Sequence, residues 1–256
     1  MIVATWNVNS IRAREERLLA FLARHAPDVV CLQEIKVRQE EFPFETLAEA
    51  GYHAAVNGQK AYNGVAILTK DEPKEVKRGF GDGKEDSQAR FLQAHVGATC
   101  FASVYVPNGG EVGSEKWSMK LEWLKRLRKW LDENMDPEKT LILAGDFNVA
   151  PEERDVENPD QWESSVLFHP DVREALADVV EWGLFDSLRI RNKEAGLYTW
   201  WDYRRLAFPR NDGLRIDHLY LSRPLVGRCA EAWIDREERK GGRPSDHAPV
   251  IAAIDV

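Results

Sequence analysis

Polar side chains of this chain follow short apolar runs, and one such pair has the chemistry to activate water. Asp146 and Asn148 come after the apolar run 141–144 and are separated by Phe147. In an extended segment alternate side chains share a face, so the carboxylate and the amide would point the same way. A carboxylate there can orient or deprotonate water, and an amide can stabilise an oxyanion. An Asx-type turn that closes a strand explains the same sequence about equally well.

A second set of polar residues has the composition of a magnesium site. Glu34 follows the apolar run 29–32, and Asn7 and Asn9 follow the run 2–6. Hard divalent ions such as Mg²⁺ take carboxylate and amide oxygens and usually keep several waters. The three side chains supply that ligand set. For a single glutamate at a strand end, a solvated surface charge is the commoner role.

A histidine lies in a third position of the same kind. Asp246 and His247 come just before the apolar run 250–254, and Asp217 comes before the run 219–221. Histidine has an unperturbed pKa near neutrality, so it can shuttle protons or stabilise a transition state. An acid must then fix its tautomer, and Asp217 is the candidate. Because the chain has six histidines, an incidental histidine here is also plausible.

The apolar runs predict the elements that must bring these residues together. Runs of four to six apolar residues followed by turn residues indicate buried strands. If strands with polar ends lie antiparallel to strands with polar starts, all these groups meet at one edge of the sheets. Helical spacing predicts three helices and a C-cap at Gly183, and the acidic stretch 148–168 predicts a long loop. The predicted helices are 15–25, 117–131 and 170–183. Two halves with similar element order favour one α/β sandwich domain over residues 1–256.

Composition limits the class of protein. The 256 residues are 43% hydrophobic and 30% charged, as expected for a globular protein. Apolar runs stay well short of the roughly 20 residues that a membrane helix needs, and the N-terminus predicts a strand rather than a signal peptide. Three widely spaced cysteines indicate reduced thiols and a cytoplasmic location, and we expect a monomer that does not bind membranes.

The acidic balance of the chain does not exclude nucleic acid as a partner. The net charge is −8, but residues 111–185 hold 18 acidic against 9 basic residues, so the excess lies in one segment. A local basic patch is sufficient to bind phosphate. A basic face is predicted at Arg204, Arg205, Arg210, Arg215, Arg239, Lys240 and Arg243. On charge alone, ordinary solvated surface is an equally good explanation.

Taken together, these segments resemble the exonuclease III family of abasic-site endonucleases. The matching blocks run in the family's order along nearly the whole chain: TWNVNSIRA at 5–13, LQEIK at 32–36, YNGVAI at 62–67, YVPNG at 105–109, GDFNVAP at 145–151, TWWDY at 199–203, LRID at 214–217 and SDH at 245–247. The GDxN and SDH blocks are shared with the wider endonuclease/exonuclease/phosphatase superfamily. The LQExK, YVPN and WWxY blocks point to its DNA-repair branch.

The resemblance implies a fold and an activity. The fold is a four-layered α/β sandwich of the deoxyribonuclease-I type, with two packed, mostly antiparallel sheets flanked by helices. The activity is Mg²⁺-dependent hydrolysis of the phosphodiester 5′ to an abasic site in duplex DNA, with Mn²⁺ as a possible substitute ion. A 3′→5′ exonuclease or cleaning activity on blocked 3′ ends would accompany it.

The resemblance also implies roles for residues. Asp146 would orient or activate the attacking water, Asn148 would contact the phosphate, and His247 would stabilise the developing charge. The implied catalytic residues are Tyr105, Asp146, Asn148, Asp217 and His247. The implied metal ligands are Glu34, Asn7, Asn9 and Asp246. The implied substrate-binding residues are Lys36, Asn108, Trp200, Leu214 and Arg215.

Two positions depart from the animal members of that family. Asn9 stands where those have Asp, and Leu214 stands where those have Trp. Because Trp200 and Leu214 are the residues expected to line a pocket for the flipped sugar, the second difference bears on substrate preference. Two other functions compete with the repair nuclease. One is a phosphodiesterase of the superfamily that acts on lipid or inositol phosphate, and the other is a catalytically silent regulator that binds nucleic acid.

Overall fold

The computed structural model describes residues 1–84 and 86–255, which form twelve strands, eight α-helices and three 3₁₀ helices. The strands are β1 (Ile2–Asn7), β2 (Val29–Gln33), β3 (His53–Asn57), β4 (Val65–Thr69), β5 (Lys74–Arg78), β6 (Phe91–Val96), β7 (Thr99–Tyr105), β8 (Leu141–Asp146), β9 (Leu184–Asp186), β10 (Asp217–Ser222), β11 (Cys229–Ile234) and β12 (Val250–Ile254). The helices are α1 (Ile11–His25), α2 (Phe44–Glu49), α3 (Glu115–Asn134), α4 (Pro159–Trp162), α5 (Pro170–Val180), α6 (Ser187–Arg191), α7 (Ala207–Arg210) and α8 (Arg223–Val226). The 3₁₀ helices are Gln39–Glu41, Glu153–Asp155 and Arg236–Arg239.

The strands form two six-stranded sheets with related topology. The first sheet has the order β11-β12-β1-β2-β4-β3, and the second has the order β5-β6-β7-β8-β10-β9. Each sheet contains one parallel pair, β1 with β2 and β7 with β8, and its other neighbours are antiparallel. The predicted pair of mostly antiparallel sheets is therefore confirmed.

Three large apolar clusters hold the sheets and helices together in four layers, and a fourth, small cluster lies around Trp201. Side chains alternate between the two faces of a strand, so Val3 in β1 points between the sheets while Ala4 and Trp6 point outward. The outward residues of the first sheet pack against α1, which contributes Leu18 and Phe21. The outward residues of the second sheet pack against α3 and α5. The order helix, sheet, sheet, helix confirms the predicted sandwich.

The predicted helices form, with corrected ends. The helix predicted at 15–25 begins earlier, and the helix predicted at 117–131 is longer, since Ser114 caps it by accepting the backbone N–H of Trp117 at 3.2 Å. The C-cap predicted at Gly183 is wrong, because α5 ends at Val180 and Gly183 (φ +123°) turns the chain toward β9. The stretch predicted as a long loop, 148–168, contains α4 and a 3₁₀ helix.

A polar layer closes one end of the space between the sheets. The Gln33 side chain donates hydrogen bonds from Nε2 to Thr5 Oγ1 at 3.0 Å and to Ser103 Oγ at 3.2 Å. All three residues are fully buried and point inward from β2, β1 and β7. A satisfied polar layer of this kind separates the apolar core from the edge where the strands end. Among the described residues, no helix is long and apolar enough to cross a lipid bilayer.

Candidate active site

Six of the candidate residues meet at that edge, as the strand directions predict. Four strands end or begin there with an inward-facing polar residue, and two further residues lie beside a strand end. The strand residues are Asn7 at the end of β1, Tyr105 at the end of β7, Asp146 at the end of β8 and Asp217 at the start of β10, with Glu34 just after β2 and His247 before β12. Residues that are up to 240 positions apart in sequence therefore form one cluster.

The His247 ring lies between two carboxylates. Its Nδ1 is 2.8 Å from Asp217 Oδ2, and its Nε2 is 3.8 Å from Asp146 Oδ2. Burial disfavours the charged ring, but the negative charges of Asp217 and Asp146 outweigh that cost and raise the pKa of His247 to about 10. At neutral pH the ring is an imidazolium. It can therefore stabilise negative charge, and it is not available as a general base.

Asp146 is held by donors on both oxygens. Asn7 Nδ2 donates to Oδ2 at 2.9 Å, and the backbone N–H of Asn148 donates to Oδ1 at 2.9 Å. Burial and the nearby charge of Asp217 raise the pKa of Asp146 above its usual range, while His247 opposes this shift. A carboxylate with a raised pKa beside an imidazolium is suited to accept a proton from water.

Glu34 lies on the other side of Asn7. Its Oε1 accepts hydrogen bonds from Asn7 Nδ2 and from the Tyr105 hydroxyl, both at 2.9 Å, and its Oε2 is 2.7 Å from Lys36 Nζ. Burial raises the pKa of Glu34, but the Lys36 charge and the hydrogen bonds from Asn7 and Lys36 more than offset that and lower it. Burial and the charges of Glu34 and Asp146 raise the pKa of Tyr105 well above its usual value, so the hydroxyl stays protonated and donates.

The backbone around these side chains is strained. Asn9 (φ +44°), Glu34 (φ +52°), Lys36 (φ +57°) and Asn148 (φ +52°) all lie in the left-handed region that glycine normally occupies. Each such residue costs on the order of 1–3 kcal/mol, and residues of this kind concentrate at functional sites. A positive φ directly after a strand turns the chain sharply. At Glu34, which follows β2, this turn brings the side chain into the cluster.

Asn148 is tied to neighbouring segments by its side chain. Its Oδ1 accepts a hydrogen bond from Asn108 Nδ2 at 3.2 Å, and its Nδ2 donates to the Val106 carbonyl at 3.0 Å. Both partners follow β7, the strand that ends at Tyr105. The two asparagines proposed from sequence to face the substrate are therefore in direct contact.

Asp246, Asn9 and Lys36 form a second polar group beside the first. Asp246 accepts hydrogen bonds from Asn9 Nδ2 at 2.9 Å and from Trp200 Nε1 at 3.0 Å, and Lys36 Nζ donates to Asn9 Oδ1 at 2.5 Å. Burial raises the pKa of Asp246, but the His247 charge and these donors outweigh it, so the pKa is lowered. The group links the edge of the site to the indole of Trp200.

The donor set is compatible with a divalent cation. Carboxylate oxygens of Glu34 and Asp146 lie within 4.8 Å of each other, and a ring nitrogen of His247 lies within the same distance of both. The carboxylates of Glu34, Asp146 and Asp217 outnumber the cations Lys36 and His247, and oxygen donors of this type suit a hard ion. Asp246 lies outside this group of three. The roles of Asn7, Asn9 and Asp246 as ligands stay predictions.

The structure places two residues expected to bind substrate in the interior instead. The Arg215 side chain is 1% exposed and pairs with Asp155 at 2.7 Å and with Asp186 at 2.5 Å, so its guanidinium has no free face. Leu214 is also fully buried, because its antiparallel bridge to Trp200 turns the side chain into the core beneath α3 and α5. Both side chains are therefore buried in this structure, and their roles in substrate binding stay predictions.

The predicted basic face is smaller than the sequence suggested. Arg215 and Arg239 are both buried, and the Arg239 guanidinium donates to the Ser245 carbonyl at 2.7 Å. The exposed members of the predicted face are Arg204, Arg205, Arg210, Lys240 and Arg243. Next to the site, a cavity of about 420 Å³ opens beside Trp200 and is lined also by Trp162, Arg204 and Arg205.

Three residues that support the site were missed from sequence. Arg90 lies 4.4 Å from the centre of the Tyr105 ring. The Ser245 hydroxyl donates to the Asn7 carbonyl at 2.6 Å and accepts from the His247 backbone N–H at 3.2 Å. Thr199 Oγ1 accepts the N–H groups of residues 216 and 217, both at 3.1 Å. Ser245 and Thr199 could have been identified from sequence, because they belong to the SDH and TWWDY blocks. No sequence pattern marks Arg90.

Comparison with known proteins decides the family. The model of the endonuclease/exonuclease/phosphatase family matches residues 4–247. The chain belongs to this family. The chain is also 37% identical to exodeoxyribonuclease III of Haemophilus influenzae over 260 residues, which cover 97% of each chain.

Among the solved structures that match over the full length of both chains, two bear directly on activity. One is an AP endonuclease from Archaeoglobus fulgidus, with a TM-score of 0.96 and 38% identity. The other is the 3′ phosphatase NExo from Neisseria bound to a product DNA hairpin, with a TM-score of 0.97 and 37% identity. The resemblance to exonuclease III is confirmed, and the chain is a hydrolytic nuclease of this type.

Proposed function

We propose that this protein is a Mg²⁺-dependent DNA-repair nuclease that cleaves the phosphodiester 5′ to an abasic site and also cleans blocked 3′ ends. The observation that carries the proposal is the buried series Asp217, His247, Asp146, with Asn7 joining Asp146 to Glu34. A proton acceptor, a fixed cation and an oxygen-rich cation site then lie within one buried cluster. This combination suits attack of water on a phosphate ester.

In this reaction Asp146 takes the proton of the attacking water. Two donors, Asn7 Nδ2 and the Asn148 N–H, fix the orientation of its carboxylate before substrate binds. A base that is oriented in advance loses little free energy to reorganisation during the reaction. The raised pKa of Asp146 improves its match to a proton transferred near neutral pH.

Charge that develops on the phosphate is stabilised by donors of the chain. The imidazolium of His247 is held in place by Asp217 and presents its Nε2 side to the cluster. The protonated Tyr105 hydroxyl is a second donor at the same edge. Donors that are fixed and partly shielded from water stabilise an anionic transition state more strongly than solvent does.

The cation would be held by Glu34, with Asp146 close by and with Asn7, Asn9 and Asp246 as the further ligands suggested by the motifs. When bound, Mg²⁺ supplies Lewis-acid polarisation of a phosphate oxygen, and Mn²⁺ would supply the same. Lys36 Nζ contacts Glu34 Oε2, so its positive charge lies at the edge where a phosphate of the DNA would bind. A lysine at this place can serve as a point charge for the DNA backbone.

The choice of DNA substrate is the finer part of the proposal. The AP endonuclease and the 3′ phosphatase resemble this chain to the same degree, so we propose both activities. In both reactions water attacks the phosphorus atom and the bond from phosphorus to a 3′ oxygen of DNA breaks. The cavity beside Trp200 is the place where the sugar at the lesion would enter.

The test is incision of a labelled duplex that carries one stable abasic analogue. The same reaction is run with Mg²⁺, with Mn²⁺ and with EDTA, beside an undamaged duplex and a duplex that ends in a 3′ phosphate. We expect metal-dependent cleavage 5′ to the lesion and release of the 3′ phosphate. DNA binding without any cleavage would favour the silent regulator. Absence of both would favour a superfamily phosphodiesterase with another substrate.

Three simpler properties belong to the same proposal. We propose a cytoplasmic location because all three cysteines are free and buried, as reduced thiols are in that compartment. We also propose a monomer and a single catalytic domain over residues 1–256. Light scattering on the purified protein tests whether it is a monomer, and limited proteolysis tests whether it is a single domain.

A further inference from the structure

Lys120, in the middle of α3, is a buried cation that contacts only backbone oxygens. Its side chain is fully buried, and Nζ donates to the carbonyls of Asn148 at 2.7 Å, Val166 at 2.6 Å and Asn108 at 3.0 Å. It stands on the apolar face of the helix, three residues after Trp117 and four before Leu124. A lysine is almost never fully buried unless it is paired.

The three carbonyls require the charged form of the side chain. An ammonium has three N–H donors, whereas a neutral amine has two, so only the ammonium satisfies all three acceptors. Burial opposes this charge and lowers the pKa of Lys120 to about 7, although the charge of Asp146 favours it. The protein therefore maintains an unfavourable buried charge at a position where an apolar side chain would pack against Trp117 and Leu124.

The carbonyls come from three separate segments that border the active site. Asn108 follows β7, Asn148 follows β8, and Val166 lies midway between α4 and α5. Two of these residues also join by their side chains, since Asn108 Nδ2 donates to Asn148 Oδ1. One ammonium thus cross-links the loops that present both asparagines.

Asn148 connects this cross-link to the reacting groups. Its carbonyl accepts from Lys120, while its own N–H donates to Asp146 Oδ1 at 2.9 Å. The residue is held at φ +52°, a conformation that is unfavourable for an asparagine without external restraint. The contact with Lys120 is such a restraint, because it fixes the peptide that follows Asn148.

We propose that Lys120 is a positioning residue for phosphodiester hydrolysis: its ammonium fixes the Asn148 peptide so that the Asn148 side chain is presented to the substrate in the reactive orientation. The inference rests on the proposed nuclease function and adds a residue to it. Lys120 does not touch the substrate, so its effect passes entirely through Asn148. Misplacement of a catalytic group by about 1 Å costs on the order of 100-fold in rate.

The test is a double-mutant cycle between Lys120→Met and Asn148→Ala, with abasic-site incision as the readout. We expect Lys120→Met alone to lower kcat about 10- to 100-fold, with KM changed less than about threefold. In the Asn148→Ala background, the same substitution should lower kcat by less than about twofold, because the side chain to be aligned is gone. Lys125→Met, an exposed lysine on the same helix, is the matched control and should leave kcat unchanged.

Several outcomes would overturn the proposal. One is a wild-type kcat in Lys120→Met. Another is an equal loss of kcat from this substitution in the wild-type and the Asn148→Ala backgrounds, because a general structural defect does not depend on the Asn148 side chain. Urea unfolding checks that each variant is folded, and Lys120→Gln replaces Lys120→Met in the cycle if the latter does not fold. Failure of both to fold would assign Lys120 to folding instead. If the wild type lacks abasic incision, that part of the proposed function fails, and the same cycle is run on 3′-phosphate release.

Discussion

Replacing Asp217 with Asn tests whether a carboxylate makes His247 a cation. Asp217 Oδ2 lies 2.8 Å from His247 Nδ1, and both side chains are buried. Asparagine has nearly the same shape and can still accept a hydrogen bond from Nδ1. The substitution therefore removes the charge while it keeps the ring in its orientation.

The size of the effect follows from the distance. At an effective dielectric constant of about 20, two unit charges at this separation attract by roughly 6 kcal/mol, which corresponds to about 4 pKa units. The pKa of His247 is about 10 in the wild type. It should fall to roughly 6 in Asp217→Asn, since burial and the more distant Asp146 are unchanged. The ring would then be neutral at physiological pH, and kcat should fall as the pH rises above about 6.

The assay is a nitrogen NMR titration of the histidine rings in metal-free protein, followed by the pH dependence of incision. Asp71→Asn, at an exposed position remote in sequence from the site, is the matched control and should leave the His247 titration unchanged. A ring that stays protonated above pH 8 in Asp217→Asn would refute the electrostatic reasoning. A neutral ring with unchanged activity would refute the role of the imidazolium.

The same pKa shift predicts a change in stability with pH. His247 binds a proton more tightly when folded than when unfolded, where its pKa is about 6.5. Its contribution to the free energy of unfolding is therefore fully present below that value and is lost as the pH rises through about 10. Urea unfolding between pH 6 and 10 should show this decline in the wild type and a much smaller one in Asp217→Asn.

Four further predictions concern the site and its support. Asp146→Asn should abolish incision but keep DNA binding in a gel-shift assay, and retained turnover would contradict its role as base. Glu34→Ala should raise the Mg²⁺ concentration needed for half-maximal activity, so an unchanged metal titration would remove it from the ligand set. Arg215→Met should lower the free energy of unfolding by about 3–5 kcal/mol, because Asp155 and Asp186 lose a buried partner, while KM for DNA stays constant. DNA affinity should decrease linearly with salt on logarithmic axes, and a flat profile would argue against binding through phosphate contacts.

Local patterns in the sequence determined the strands and their polar ends. Continuous apolar runs flanked by turn residues identify β1, β2, β8 and β12, and a polar residue at or next to one end of each run lies at the common edge. The sequence by itself therefore indicated Asn7, Glu34, Asp146 and His247 as members of one site. Their proximity requires that β1 and β2, which both have polar ends, run parallel, and that β12, which has a polar start, runs antiparallel to β1. It also requires that the second sheet packs with the end of β8 at the same edge.

Which polar side chains are buried was decided by the tertiary structure alone. Arg215 looks like a DNA-binding arginine in the sequence, but Asp155, sixty residues away, neutralises it in the interior. Lys120 looks like a surface lysine on an amphipathic helix, yet carbonyls from three distant loops surround it. The periodicity of a segment indicates which of its residues face the core. The partner that stabilises a buried charge comes from another part of the chain, so local periodicity does not reveal it. For that reason the sequence specified the reacting groups, and only the assembled fold specified what holds them in place.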